Sequence, residues 1–280
     1  MATGKDRQRE LARRHYERQM ARRAERMARA RRRRIIGSIV GVVAVGAVIA
    51  TSLVVSGSGD VTSAETDPQA SASASPEPQA FDPATRTCGY VADSSGQVKD
   101  VGLPPAQADP DTPRTMTLTT NLGKIEIKLE PAKAPCTVNS FVHLASKDYF
   151  DGTKCHRLTT EGLHVLQCGD PLAKADGETA TDGMGGPGYR FVDENLGGME
   201  YKRGVVAMAN SGPNTNGSQF FIVYGDDTKS LPPSYTPFGT VTKGMNIVDK
   251  VAKAGVKGGG GDGTPKLAVT LKDVTISGKS

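Results

Sequence analysis

Four kinds of hydrophobic patterning follow one another along the 280-residue chain. Residues 1–34 are charged and small, with Leu11, Tyr16, Met20 and Met27 as scattered apolar positions. Arg, Ala, Glu and Met favour helix, but these four are too few to form a core-facing stripe. From Ile35 to Val55, twenty-one consecutive positions carry no charge. As a helix that run spans roughly 30 Å, the thickness of a bilayer's hydrocarbon core, so the pattern predicts a single transmembrane helix. From Ser56 to Pro78 apolar bulk almost vanishes among Ser, Ala, Gly, Thr, Pro and acidic residues. Such a tract cannot offset the entropy of ordering and predicts a flexible spacer.

Beyond Arg114 the pattern changes to short periods. Met116 and Leu118 alternate with threonines. After Asn121-Leu122-Gly123, Ile125, Ile127 and Leu129 alternate with Lys124, Glu126 and Lys128. That predicts a β-hairpin with one buried face. Pro135 suits the first turn of a helix, and Val138, Phe141, Leu144 and Ala145 give its buried stripe. Short strands are predicted near 154–158, 165–167, 205–208 and 220–224, with a glycine-rich loop at 183–188. A second helix starts at Met245 with Ile247, Val248 and Val251 inward, and a last strand covers 267–276. Many short strands with two helices predict a mainly β domain, a closed barrel, over residues 114–280. Residues 56–113 read as a linker, although Cys88 and Tyr90 in its second half point to an ordered, Cys-containing extension that packs on the domain.

Charge divides the chain again. Residues 1–34 hold fourteen Lys/Arg and four Asp/Glu against a net charge of +5 for the whole, so the remainder is acidic by 5. A basic flank before an apolar run places the N-terminus in the cytoplasm and sends the domain outward, a single-pass arrangement in the cell membrane. A cleaved signal peptide is the alternative, but its apolar region and charged leader are usually much shorter. The arm suits anionic headgroups at the inner membrane face. With Tyr16 as its one aromatic, it offers little for base stacking, and no specific nucleic-acid partner is expected.

The stretch Val205–Tyr224 carries the candidate chemistry. A β-branched strand leads into Asn210–Ser218, almost wholly turn-forming, and a second strand, Phe220–Tyr224, follows. Polar loops between buried strands commonly aim backbone groups at a ligand. The run Met208-Ala-Asn-Ser-Gly-Pro-Asn-Thr-Asn-Gly-Ser-Gln-Phe-Phe221 resembles the signature of the cyclophilins, the peptidyl-prolyl cis–trans isomerases, at every fixed position. Cys155-His156-Arg157-Leu158 and Gln167-Cys168-Gly169-Asp170-Pro171 resemble two further motifs of that family. The resemblance covers roughly Arg114–Gly278 and implies a closed eight-stranded antiparallel barrel capped by two helices. It implies isomerisation of X–Pro bonds with Arg157 as catalytic donor and Gln167 gripping substrate. Asn210 then pairs with the substrate backbone, Ala209 and Gln219 line the site, and Phe221 floors a proline pocket.

This chemistry needs no cofactor. A peptide bond resists rotation by ~18–20 kcal/mol because the nitrogen lone pair is delocalised. A donor aimed at the prolyl nitrogen competes for that lone pair and favours the twisted state. The sequence departs from the family around the pocket. His164 stands where a Phe is usual and Val165 where Met is frequent. Leu231 matches a pocket Leu, Ser230 replaces a frequent Trp before it, and Tyr235 replaces a frequent His. A smaller, more polar pocket with weak affinity for cyclosporin-type ligands is implied. The implied partners are proline-containing segments of exported proteins. The alternative is a tethered, non-catalytic module or chaperone that holds such segments.

Four cysteines, all beyond the apolar run, allow three pairings or buried free thiols. The family's topology places Cys155 and Cys168 on adjacent strands, which implies that pair and leaves Cys88 for Cys136. No Cys-x₂-Cys pair or His-Glu-x-x-His motif signals a metal.

Overall fold

A computed structural model describes residues 76–177, 181–197, 200–226 and 231–278. The basic arm, the apolar run Ile35–Val55, the spacer to residue 75 and Ser230 lie outside the described residues. Among the described residues no helix is long and apolar enough to cross a membrane.

The hairpin forms as its alternation dictates. β3 (Thr115–Thr120) and β4 (Gly123–Leu129) pair antiparallel, with Met116, Leu118, Ile125, Ile127 and Leu129 buried. Helix α1 (Pro135–Ser146) presents Val138, Phe141 and Leu144 to the core. The Phe141 ring lies 5.5 Å from Phe150, 5.6 Å from Phe220 and 4.6 Å from Phe238, fixing the helix against the sheet. No side chain caps α1 from its N-cap residue; the Glu194 carboxylate instead accepts from the Cys136 and Thr137 N–H groups and the Thr137 hydroxyl. Burial pushes the Glu194 carboxyl above its ordinary range, and those hydrogen bonds oppose the shift.

The other strands of the same sheet are β5 (Arg157–Thr159), β6 (Val165–Cys168), β9 (Val205–Met208), β10 (Phe220–Val223), β11 (Pro237–Lys243), β12 (Asp262–Gly263) and β13 (Leu271–Ser277). Helix α2 (Met245–Ala254) sits between β11 and β12 and buries Ile247, Val248 and Val251. One antiparallel sheet of nine strands runs β12-β5-β6-β10-β9-β11-β4-β3-β13. It curls into a half-barrel, so the expected closed eight-stranded barrel is corrected. The two-residue β12, arriving from a glycine-rich loop, occupies the outer edge of β5. The chain before β5 approaches β13 through one isolated bridge, Lys154 with Thr270, and backbone hydrogen bonds linking 152–155 to 269–271.

The compact unit begins at Pro76; residues 76–113, read in the sequence as linker with an ordered Cys-containing extension, lie within it. β1 (Val91–Ala92) pairs antiparallel with β8 (Tyr189–Arg190), and β2 (Gln97–Val98) pairs parallel with β7 (Gly185–Gly186). Tyr90 inserts edge-on against Tyr189 and Phe191, each at 5.7 Å, and its hydroxyl donates to the Cys136 carbonyl at 2.8 Å. A disulfide joins Cys88 to Cys136, and a second joins Cys155 to Cys168.

Candidate active site

Alternation along the strands sorts their side chains into two apolar clusters. Phe220, Leu166, Val206 and Met208 belong to the main core. Their neighbours Phe221, Val165 and Ala207 turn to the other face, where Val223, Tyr201 and Tyr235 join them. Period-2 geometry thus splits the Phe220-Phe221 pair between core and groove.

Register then lines up the groove residues. Arg157 on β5 opposes Gln167 on β6; Gln167 opposes Phe221 on β10; Phe221 opposes Ala207 on β9. Four adjacent strands therefore contribute one residue each to a single cross-strand row. With strands about 4.8 Å apart, the Arg157 and Phe221 backbones lie roughly 10 Å apart with Gln167 between them.

Polar contacts fix the row. Arg157 donates from Nη1 to Gln167 Oε1 at 3.3 Å. Gln167 donates to Gln219 Oε1 at 2.9 Å, and Gln219 donates to the Gly185 carbonyl at 2.8 Å. On its other edge Arg157 donates from Nε and Nη2 to both oxygens of Asp262, at 2.7 and 2.8 Å. Aspartate 262 did not emerge from the sequence reading. Its one local signal is its place between Gly261 and Gly263.

The apolar end is floored by Phe221. Tyr235 meets it edge-on at 5.6 Å, and Tyr201 lies 6.3 Å away. Tyr201 donates its hydroxyl to the Tyr235 carbonyl and accepts from the Tyr235 N–H. Leu231 and Ala209, two of the expected pocket residues, pack against this cluster together with Leu163. His164 is placed differently. Its ring partner is Tyr224, 5.4 Å away, while its neighbours Leu163 and Val165 face the Phe221 cluster. A one-residue phase thus gives to Leu163 the wall position that the sequence reading assigned to His164.

The loop 210–218 is held by Asp193. Its carboxylate accepts from the Asn214 N–H at 2.9 Å and the Asn216 side-chain amide at 2.8 Å. Asn210 donates to the Ser234 carbonyl at 2.8 Å, which sets the loop beside Tyr235. Ser218 donates to the Gly169 carbonyl, and the hydroxyls of Ser218 and Tyr149 are hydrogen-bonded. A Cβ on Gly169 would lie 2.3 Å from the Ser218 carbonyl oxygen, and its φ is +89°, so no other residue fits there.

Asp170, 1% exposed, anchors the opposite rim. Its carboxylate accepts from the N–H groups of Leu172, Gly183 and Gly185. Asp170→Ala would orphan these donors, at about 1–3 kcal/mol for each that water cannot reach. With partial rehydration the expected loss is about 2 kcal/mol in urea unfolding. Since Gln219 bonds the Gly185 carbonyl, ligand affinity should fall as well. A stability change within about 0.5 kcal/mol, the range of ordinary surface substitutions, would contradict this account.

Residues 115–276 match the family described as cyclophilin type peptidyl-prolyl cis-trans isomerase/CLD. The chain belongs to the cyclophilin family. The cyclophilin domain is similar to a "probable peptidyl-prolyl cis-trans isomerase B" of Mycobacterium tuberculosis, 46% identical over 205 residues. That match covers 68% of this chain and 63% of the relative, less than two thirds of its length. A Mycobacterium leprae protein of the same name is 44% identical, with 70% of each chain covered. Gallus gallus peptidyl-prolyl cis-trans isomerase-like 3 is 40% identical over 58% of this chain and 94% of its own. Among solved structures, a cyclophilin from Cryptosporidium parvum aligns with a TM-score of 0.51 at 27% identity. That alignment covers 60% of this chain and 99% of the other. The same protein has been crystallised in the presence of the dipeptide Ala-Pro, and that structure aligns with a TM-score of 0.50.

Proposed function

We propose that the chain is a peptidyl-prolyl cis–trans isomerase in which Arg157 donates to the prolyl nitrogen. The single observation that carries this reading is the row Arg157–Gln167–Phe221–Ala207, a donor and an apolar floor separated by one amide. In the proposed cycle the proline ring rests on Phe221 between Tyr235, Leu231 and Leu163. Gln167 and Asn210 hold the flanking peptide, and the guanidinium meets the nitrogen as it pyramidalises. No bond to the enzyme forms or breaks; the barrier drops because the twisted amide is bound better than the planar one.

The same proposal places residues 1–34 in the cytoplasm, 35–55 across the membrane, and the domain outside, acting on exported chains. Two disulfides suit that oxidising side. A second reading, a module that binds proline segments without turnover, draws support from Tyr235, which narrows the pocket over Phe221.

Exchange spectroscopy on an Ala-Pro peptide with the 280-residue chain separates the two. Uncatalysed X–Pro exchange takes tens to hundreds of seconds. Substoichiometric protein is expected to accelerate it by at least about 100-fold, within the range of a single positioned catalytic donor. Line broadening from binding, with an unchanged exchange rate, would leave only the binding module.

A further inference from the structure

We propose that Asp262 is a positioning residue for isomerisation: it orients the Arg157 guanidinium and, through it, the amide chain that ends at Gly185. The inference rests on the reading that Arg157 is the catalytic donor.

The geometry is that of a fork rather than a loose surface pair. Both Asp262 oxygens are engaged, one by Nε and one by Nη2, at 2.7 and 2.8 Å. Planar bidentate pairing fixes the guanidinium plane as well as its position, which a single contact cannot do. With that edge occupied, Nη1 lies on the Gln167 side. The Arg157 side chain is 16% exposed and that of Asp262 30%, so the pair is only partly screened by water.

The fold goes to some length to bring this carboxylate in. Gly258, Gly259 and Gly260 have φ of +72°, +81° and +85°, a left-handed run that carries the chain back toward β5. β12 then pairs Asp262 with Thr159, two residues from Arg157 and therefore on the same face of the sheet. The Thr160 N–H donates to the Gly261 carbonyl at 2.8 Å and secures that approach.

Polarity gives the pair a longer reach. The anion receives two donors of Arg157; Arg157 donates onward to Gln167, Gln167 to Gln219, and Gln219 to a backbone carbonyl. Each amide can then present only one face to its neighbour. An unanchored arginine would sample several rotamers and leave Gln167 free to turn. A misplacement of about 1 Å at a catalytic group can cost about 100-fold.

The test is a double-mutant cycle on the 280-residue chain, read as exchange of an Ala-Pro peptide. Asp262→Ala is expected to lower kcat by about 10- to 100-fold, with a smaller rise in KM, because Asn210 and the apolar floor still hold substrate while Gln167 loses only its Arg157 anchor and keeps Gln219. Asp262→Asn, which keeps one acceptor and nearly the same shape, should lose less. In the Arg157→Ala background, Asp262→Ala should have no further effect. The Arg157 Nε–H resonance, expected to be protected in the parent protein, should exchange rapidly in Asp262→Ala. Normal turnover by Asp262→Ala beside an impaired Arg157→Ala would overturn this inference alone. Equal added losses in both backgrounds would also overturn it, by showing a general structural role. Normal turnover by Arg157→Ala would instead remove the catalytic reading on which the inference rests.

Discussion

Alanine at position 157 is expected to lower kcat/KM for an X–Pro peptide by about 100- to 1,000-fold, the loss seen when one transition-state donor is removed. The fold should survive the change. Asp262 has a side chain 30% open to water and can be rehydrated, and Gln167 loses one long bond but keeps Gln219, so the stability cost should stay near about 1 kcal/mol. Lysine tests what kind of donor is needed. Arg157→Lys keeps the charge but cannot fork onto both Asp262 oxygens while also reaching Gln167. It should recover no more than about a tenth of the lost activity, since losing the fork leaves the donor misplaced. Parent-level turnover by either variant, measured by exchange spectroscopy, would take Arg157 out of the reaction.

The second large effect concerns stability. The Cys88–Cys136 bond spans 48 residues and ties the N-terminal extension to the start of α1. In the chain-entropy account, closing such a loop removes about 4 kcal/mol of disorder from the unfolded chain. The Cys155–Cys168 bond spans 13 residues and is worth about 3 kcal/mol on the same scale. Replacing Cys88 and Cys136 by serine should therefore lower the urea-unfolding free energy by about 4 kcal/mol. Turnover should be nearly unchanged wherever the variant stays folded, because neither cysteine lies in the row from Arg157 to Ala207. A loss below about 1 kcal/mol would mean that Tyr90 and the short β1–β8 ladder hold the extension by themselves, since loop closure alone predicts several times more.

Much of this was readable in the residues. The hairpin from Met116 to Leu129 and the inward stripe Val138, Phe141 and Leu144 are local patterns with one period each, and the described structure buries them as that period requires. The motif Met208–Phe221 marked the site because its asparagines and serine do structural work. Asn216 and Ser218 are buried and bonded, which explains a loop so narrow in the residues it accepts. Other features depend on register between distant strands. Nothing near Asp262 in sequence reveals that it will lie beside Arg157, 105 residues earlier. The exchange of Leu163 for His164 on the pocket side is a one-residue phase shift that strand propensity does not encode. In the extension from Pro76, polar and turn-forming composition reads as linker, and only Cys88 and Tyr90 point to order. What orders it is long-range: a disulfide, an inserted tyrosine ring and the pairing of β1 with β8 and of β2 with β7.

The split of Phe220 from Phe221 has a consequence for how such a domain can diversify. On β6, β9 and β10, every second side chain belongs to the core and the intervening ones belong to the groove. Volume-conserving changes at Val165, Ala207 or Val223, buried though they are, would therefore reshape the Phe221 cluster rather than the main interior on the other face. A library of similar-sized apolar residues confined to those alternate positions should change ligand preference while leaving the main core intact, whereas one shifted by a single position should alter that core instead.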